Sequence, residues 1–220
     1  MIKEAAILAQ DYSLLVYWFI RFIMKFMQKH STLFDNNLKN INLKNINSSW
    51  TLFIDRDGVV NEEKTDDYIY AWNEFRFYEG VKEAFRIFHK KFGVIVMVTN
   101  QRGVAKGLMK LKDLHSIHRH MVAEIEKTGG RIDKIYTCTD MESPLRKPNT
   151  GMGLQALKDF KAIDLSKSIM IGNTLSDMKF GRNLGVKTNV FLPTTRKEVD
   201  INDPTIDLVF PDLISFAQAL

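Results

Sequence analysis

Cysteine is nearly absent: Cys138 stands alone among 220 residues. A single thiol excludes an intrachain disulfide and fits a reducing compartment, so a cytoplasmic setting is expected. Long uncharged apolar runs are lacking too. The apolar stretch at residues 14–20 runs into Arg21 and Lys25. It falls short of the roughly 18 residues that cross a bilayer. No small-residue cleavage site follows it, so a secretory signal is not expected. Charge of one sign is scarce where it would matter most. The chain carries a net +5, but residues 1–50 hold six Lys/Arg against three acids, and the remainder is close to balanced. A nearly neutral body gives no electrostatic argument for a nucleic-acid partner.

What is present is a globular composition, 45% hydrophobic, in a chain long enough for one ordinary domain and an extension. The chain is organised around Trp50–Asn61, WTLFIDRDGVVN. Leu52, Phe53 and Ile54 form a short apolar run that stops at Asp55-Arg56-Asp57-Gly58, the pattern of a buried strand ending in a turn. Residues two apart share one side of a strand, so Asp55 and Asp57 project together. Two adjacent carboxylates repel unless a cation or proton lies between them. Mg²⁺ suits such a site, because it prefers carboxylate oxygens and retains waters that a phosphate can replace.

Further apolar runs alternate with amphipathic segments. Val94–Val98, Ile132–Cys138, Ser168–Ile171 and Thr188–Phe191 read as strands, with Asp207–Phe210 as a short edge strand. Gly80–Phe92 places Val81, Ala84, Phe85 and Phe88 at helical spacing. Leu111–Thr128 does so with Leu111, Leu114, Ile117, Met121 and Ile125, and the helix after Thr150-Gly151 with Leu154, Leu157 and Phe160. Pro211–Leu220 reads as a closing helix. His115, His118 and His120 cannot form a two-histidine metal face and read as surface residues, as does His89. Strands alternating with helices predict a parallel α/β sheet with helices on both faces. Residues 62–79 should form a loop or hairpin over the site. Within it, Tyr68 is a candidate substrate contact, and Trp72 and Phe75 are expected to pin the loop to the body. No insertion is long enough for a large cap.

The order of motifs resembles the haloacid dehalogenase (HAD) superfamily. DRDGVVN at Asp55, then Asp67-Tyr68, then FRFYEGV at Phe75 resemble its class IIIA branch, which contains heptose bisphosphate and histidinol-phosphate phosphatases. Thr99-Asn100-Gln101-Arg102-Gly103 resembles the second motif, Arg146-Lys147-Pro148 with Gly151-Met152 the third, and Gly172-Asn173 with Asp177 the fourth. The resemblance implies a HAD-like Rossmannoid fold with a minimal cap. It implies Asp55 as nucleophile, Asp57 as general acid and base, and Lys147 as the charge that holds nucleophile and phosphate together. It implies Thr99, Asn100, Gln101, Arg146 and Lys147 as phosphate or substrate contacts. Mg²⁺ would be bound by Asp55, the backbone carbonyl of Asp57, Asn173 and Asp177. Asn173 departs from the family's Asp, which lowers the charge of the metal site. The zinc loop of typical relatives is also missing, since four N or S ligands are needed and only Cys138 is on offer; no structural zinc is expected.

The expected substrate is a small phosphorylated sugar, D-glycero-D-manno-heptose 1,7-bisphosphate, losing its 7-phosphate. Histidinol phosphate, a polynucleotide 3′-phosphate and a weakened, non-catalytic phosphate binder remain as alternatives. Residues 1–34 are expected to be a helical extension that contacts a protein partner or a membrane surface. Their opening, MIKEAAILA, resembles the first strand of sugar-phosphate nucleotidyltransferases, but no glycine-rich phosphate loop follows it. Residues 35–49, with LKNIN repeated, read as an Asn-rich linker, and 50–220 as the phosphatase domain.

Overall fold

The computed structural model describes residues 41–220 except 65–66 and 196–197. The extension expected over residues 1–34, with its partner or membrane contacts, lies outside the described residues, as does the first part of the linker. Six strands form one sheet: β1 Thr51–Ile54, β2 Val94–Asn100, β3 Lys134–Cys138, β4 Ser168–Gly172, β5 Thr188–Phe191 and β6 Leu208–Val209. All pair in parallel, in the order β3-β2-β1-β4-β5-β6. Thr51 lies opposite Val94 on one side and Ser168 on the other. β1 is therefore central, and the order of strands reverses beside it. In open parallel sheets, ligands bind at the carboxyl ends of the strands at that reversal.

Among the described residues, six α-helices accompany the strands: α1 Val81–Lys91, α2 Arg102–Ala105, α3 Leu111–Glu126, α4 Gly151–Asp159, α5 Leu175–Leu184 and α6 Leu213–Ala219. Alternation along the strands divides the core. Leu52 and Ile54 join Val81, Phe85 and Phe88 of α1, Ile117 and Met121 of α3, and Phe216 of α6. Phe53 joins Val96, Val98, Met152 of α4 and Phe180 of α5 on the opposite face. A sheet buried on both sides is what near-continuous apolar strands require. Among the described residues, no helix is long and apolar enough to cross a membrane.

Four expectations are corrected. His118 is buried rather than on the surface, because the inner stripe of α3 is Leu114, Ile117, His118, Met121 and Ile125. Leu111, one turn before that stripe begins, is 48% exposed. Leu154 is 56% exposed; α4 presents Met152, Gly153 and Ala156 inward instead, with Gly153 close against Leu184. The linker expectation also fails for its last residues. Leu43–Asn45 form a 3₁₀ turn, and Leu43 and Ile46 are buried in the main core. The Asn-rich composition hid two apolar side chains spaced to face the same way.

Candidate active site

The site forms where β1, β2 and β4 end. Asp55 directly follows β1, its N–H bonded to the carbonyl of Ile171 on β4 at 3.0 Å. Gly58 then turns the chain with φ +78°. No other residue fits there, since a Cβ would lie 1.9 Å from Asn173 Nδ2. Asn173 and Asp177 come from the β4–α5 junction. Asp177 is the third residue of α5 and closes a capping box with Thr174. Its Oδ2 accepts from the Thr174 N–H at 3.0 Å and the Thr174 hydroxyl at 2.6 Å.

Lys147 binds these pieces together. It is 3% exposed; its ammonium forms ion pairs with Asp55 Oδ1 at 2.8 Å and Asp177 Oδ1 at 2.5 Å and donates a hydrogen bond to the Val98 carbonyl at 2.8 Å. One ammonium thus lies between two carboxylates and a backbone carbonyl. Its backbone is gripped in turn by Asn100, whose amide accepts from Lys147 N–H at 3.0 Å and donates to the Lys147 carbonyl at 3.2 Å. Burial works against the ammonium, but Asp177 and Asp55 outweigh it and hold its pKa above the ordinary lysine value. Burial and the neighbouring Asp177 push Asp55 up to about 7, against the pull of Lys147. One cation between two buried carboxylates leaves a net negative charge that a second cation would neutralise.

Asp57 is held differently. Its Oδ1 accepts from Arg56 Nε at 3.2 Å, an Arg56 terminal nitrogen at 2.8 Å and Asn61 Nδ2 at 3.0 Å; its Oδ2 accepts from Gln101 Nε2 at 2.6 Å. Burial alone would raise this carboxyl. The Arg56 charge and the bonds from Arg56, Asn61 and Gln101 outweigh burial and keep it below the usual carboxylate range. Arg56 is 1% exposed, and its second terminal nitrogen donates to His118 Nε2 at 3.0 Å. Guanidinium can only donate, so His118 accepts, and its own proton sits on Nδ1. Burial first and Arg56 second press the His118 pKa down to about 3, which keeps the ring neutral. His118 is therefore a positioning residue that aims Arg56 at Asp57. His118→Ala is expected to lower kcat roughly ten-fold with KM little changed, the size of effect that a loosened catalytic carboxylate gives; steady-state kinetics on purified variants would measure it.

The cavity above these residues has a volume of about 440 Å³. Asp55, Asp57, Asn100, Gln101, Lys147, Asn173 and Asp177 line its floor, and Arg102, Arg146 and Lys64 also face it. Tyr68 lines the cavity from the loop over the site. Trp72 stacks on Phe75 at 5.1 Å and on His120 at 5.3 Å, pinning that loop to α3. Thr99 does not reach the cavity wall; its hydroxyl accepts from Gln101 Nε2 at 2.8 Å. Asn100 and Gln101 both face the cavity, but their side chains are spent on Lys147 and Asp57. Five positioning contacts escaped the sequence reading: Arg56–His118, Gln101–Asp57, Asn61–Asp57, Asn100–Lys147 and Glu63–Asn173. His118 had one readable signal, its place four residues after Leu114 and three before Met121 on the inner face.

The donor set suits a hard cation. Asn173 is fully buried, and its Oδ1 has no hydrogen-bond partner. An orphaned amide oxygen lining the same cavity as the Asp55 and Asp177 carboxylates adds to an oxygen ligand set of the kind Mg²⁺ accepts. Among the described residues, no three His, Cys, Asp or Glu are grouped to hold a metal. Cys138 is buried, and its thiol points to the Asp140 carbonyl.

A Rossmannoid sheet with a carboxylate at the tip of its central strand, a second two residues on, and a buried lysine between two acids defines a phosphatase of the HAD type. The comparisons agree. The chain belongs to the polynucleotide kinase 3 phosphatase family, whose model matches residues 49–191. It is similar to the D-glycero-alpha-D-manno-heptose-1,7-bisphosphate 7-phosphatase of Campylobacter jejuni, 39% identical over 150 residues, 68% of this chain and 86% of that one. It is similar also to the D-glycero-beta-D-manno-heptose-1,7-bisphosphate 7-phosphatase of Haemophilus influenzae, 30% identical over 178 residues, 77% of this chain and 95% of that one. Among solved structures, the D,D-heptose 1.7-bisphosphate phosphatase from B. bronchiseptica, complexed with magnesium and phosphate, matches with a TM-score of 0.68 at 26% identity. That match covers 77% of this chain and 96% of that one.

Proposed function

We propose that this phosphatase removes the 7-phosphate of D-glycero-D-manno-heptose 1,7-bisphosphate. The observation that carries the reading is a cavity lined by both the Asp55–Lys147–Asp177 cluster and further cations. Asp55, Lys147 and Asp177 are where a phosphoryl group is attacked; Arg102 and Arg146 line the same cavity and suit a second phosphate. Burial and the Arg102 charge together hold the Arg146 guanidinium below its ordinary pKa, which places two cations near each other. A volume of about 440 Å³ lies within the range of small-molecule sites, and the relatives' names point to the same substrate.

The chemistry follows from the residues. Asp55 Oδ1 is taken by Lys147, and its other oxygen has no protein partner among the described residues, so that oxygen attacks phosphorus. An aspartyl-phosphate forms as the bond to the sugar oxygen breaks. Asp57 takes a proton from bulk water, gives it to the departing alkoxide, then accepts a proton from the water that hydrolyses the intermediate and returns it to solvent. Inorganic phosphate leaves and Asp55 is restored. Asp55, the backbone carbonyl of Asp57, Asn173 and Asp177 would hold Mg²⁺, which when bound supplies positive charge to the phosphate and to Asp55. Asn100 acts through the Lys147 loop, and Thr99 through Gln101. Arg146 and Lys147 remain the direct phosphate contacts.

The test is phosphate release from both anomers of the bisphosphate, with histidinol phosphate and a 3′-phosphorylated oligonucleotide alongside. The bisphosphate should give the highest kcat/KM, and Asp57→Asn should lower its kcat by about 10²–10⁴. Faster turnover of either comparison substrate would reject the sugar assignment.

A further inference from the structure

We propose that Glu63 and Asn173 act as one unit, with Glu63 supplying from behind the amide the negative charge that Asn173 lacks toward a bound Mg²⁺. This inference rests on the magnesium reading above. Asn173 Nδ2 donates to Thr195 Oγ1 at 2.6 Å and to Glu63 Oε2 at 3.3 Å, and Thr195 Oγ1 donates to the same Glu63 oxygen at 2.9 Å. The Glu63 carboxylate can only accept, so an amide oxygen turned toward it would face a lone pair. These contacts settle which end of the amide faces which way. Nitrogen faces the Glu63 carboxylate, and Oδ1 is left buried without a partner. An N–H bonded to a carboxylate draws electron density toward the amide oxygen, since linked hydrogen bonds polarise one another. Glu63 also lines the cavity, so its charge acts on any cation there at short range.

A carboxylate at position 173 would turn an oxygen toward Glu63 Oε2, where an N–H now donates. Two like charges at that separation raise the pKa of one of them, so the added charge is not delivered to the metal. Exchanging both residues restores a donor and an acceptor, because a glutamine amide at position 63 would donate to a carboxylate at position 173. Asn173 is thus not simply a weakened aspartate. It is the neutral half of a pair whose charge sits one residue further from the metal.

The experiment measures Mg²⁺ affinity without turnover, by calorimetric titration of the full chain with Mg²⁺ alone, checked by the Mg²⁺-dependent shift in melting temperature. Glu63→Gln should weaken binding about ten-fold, the lower end of what partners behind metal ligands contribute. Asn173→Asp alone should change it by less than about three-fold, because Glu63 opposes the new charge. The double variant Glu63→Gln/Asn173→Asp should return to within about three-fold of the wild type. Thr195→Val removes a hydrogen bond but no charge and should cost less than about three-fold; an effect equal to that of Glu63→Gln would mean the role is structural and would overturn the proposal. Additive single effects, or a tightening by Asn173→Asp that ignores residue 63, would also overturn it. Wild-type protein that fails to bind Mg²⁺ would remove the magnesium reading and the pair together. Wild-type binding with an unchanged Glu63→Gln variant would remove the pair alone.

Discussion

Asp55→Asn is expected to reduce turnover by at least about 10³-fold, as loss of a catalytic nucleophile does, while making the metal-free protein more stable at pH 8. The two effects have one cause. Asp55 sits buried beside Asp177 with Lys147 as their shared cation, and its pKa is raised from 3.8 to about 7. The folded state therefore holds this proton where the unfolded chain has released it. Stability then falls as pH rises from about 4 to about 7, because the folded state binds more protons across that window. The variant lacks this penalty. Its melting temperature should match the wild type near pH 4 and exceed it by about 5 °C above pH 7, the shift that roughly 2 kcal/mol produces in a domain of this size. Thermal melts of both proteins in chelator, from pH 4 to pH 8, would show the gap opening. A gap that stays constant with pH, or a variant that keeps its activity, would reject the assignment of Asp55.

Lys147→Met should act in the opposite sense on stability and the same sense on activity. The ammonium is the common partner of two buried carboxylates and of the Val98 carbonyl. Taking away one member of a buried ion pair costs about 3–5 kcal/mol, so the melting temperature should drop by roughly 10 °C in chelator. Turnover should fall by about 10²–10³-fold, since the charge facing the phosphoryl group is lost. On the magnesium reading, Mg²⁺ should stabilise this variant more than the wild type, because the cation meets two uncompensated carboxylates. That gain should not bring the activity back. Differential scanning calorimetry with and without Mg²⁺, beside an assay at saturating substrate, separates the two roles. A variant as stable as the wild type in chelator would show that Lys147 is not the central counter-charge.

How much was legible before the fold was known differs by kind of residue. Asp55 and Asp57 could be read because a strand's alternation puts them on one side and a glycine follows. Lys147 and Asp177 could be read only through motif resemblance; by pattern alone, Lys147 is one lysine among many. His118 was misread because a polar residue on a helix is assumed to face water. The burial of Leu43 and Ile46 was missed because asparagines surround them.

By itself, the sequence determined the alternation of buried strands and amphipathic helices, and with it a parallel sheet whose strand tips carry the chemistry. Those are local properties, written in the period of neighbouring side chains. Only the tertiary structure decided which partner each functional group has. Arg56 meets His118 across 62 residues and Asn173 meets Glu63 across 110. No local period encodes such pairings, because they arise only when packing brings separate strand ends and loops within hydrogen-bond distance.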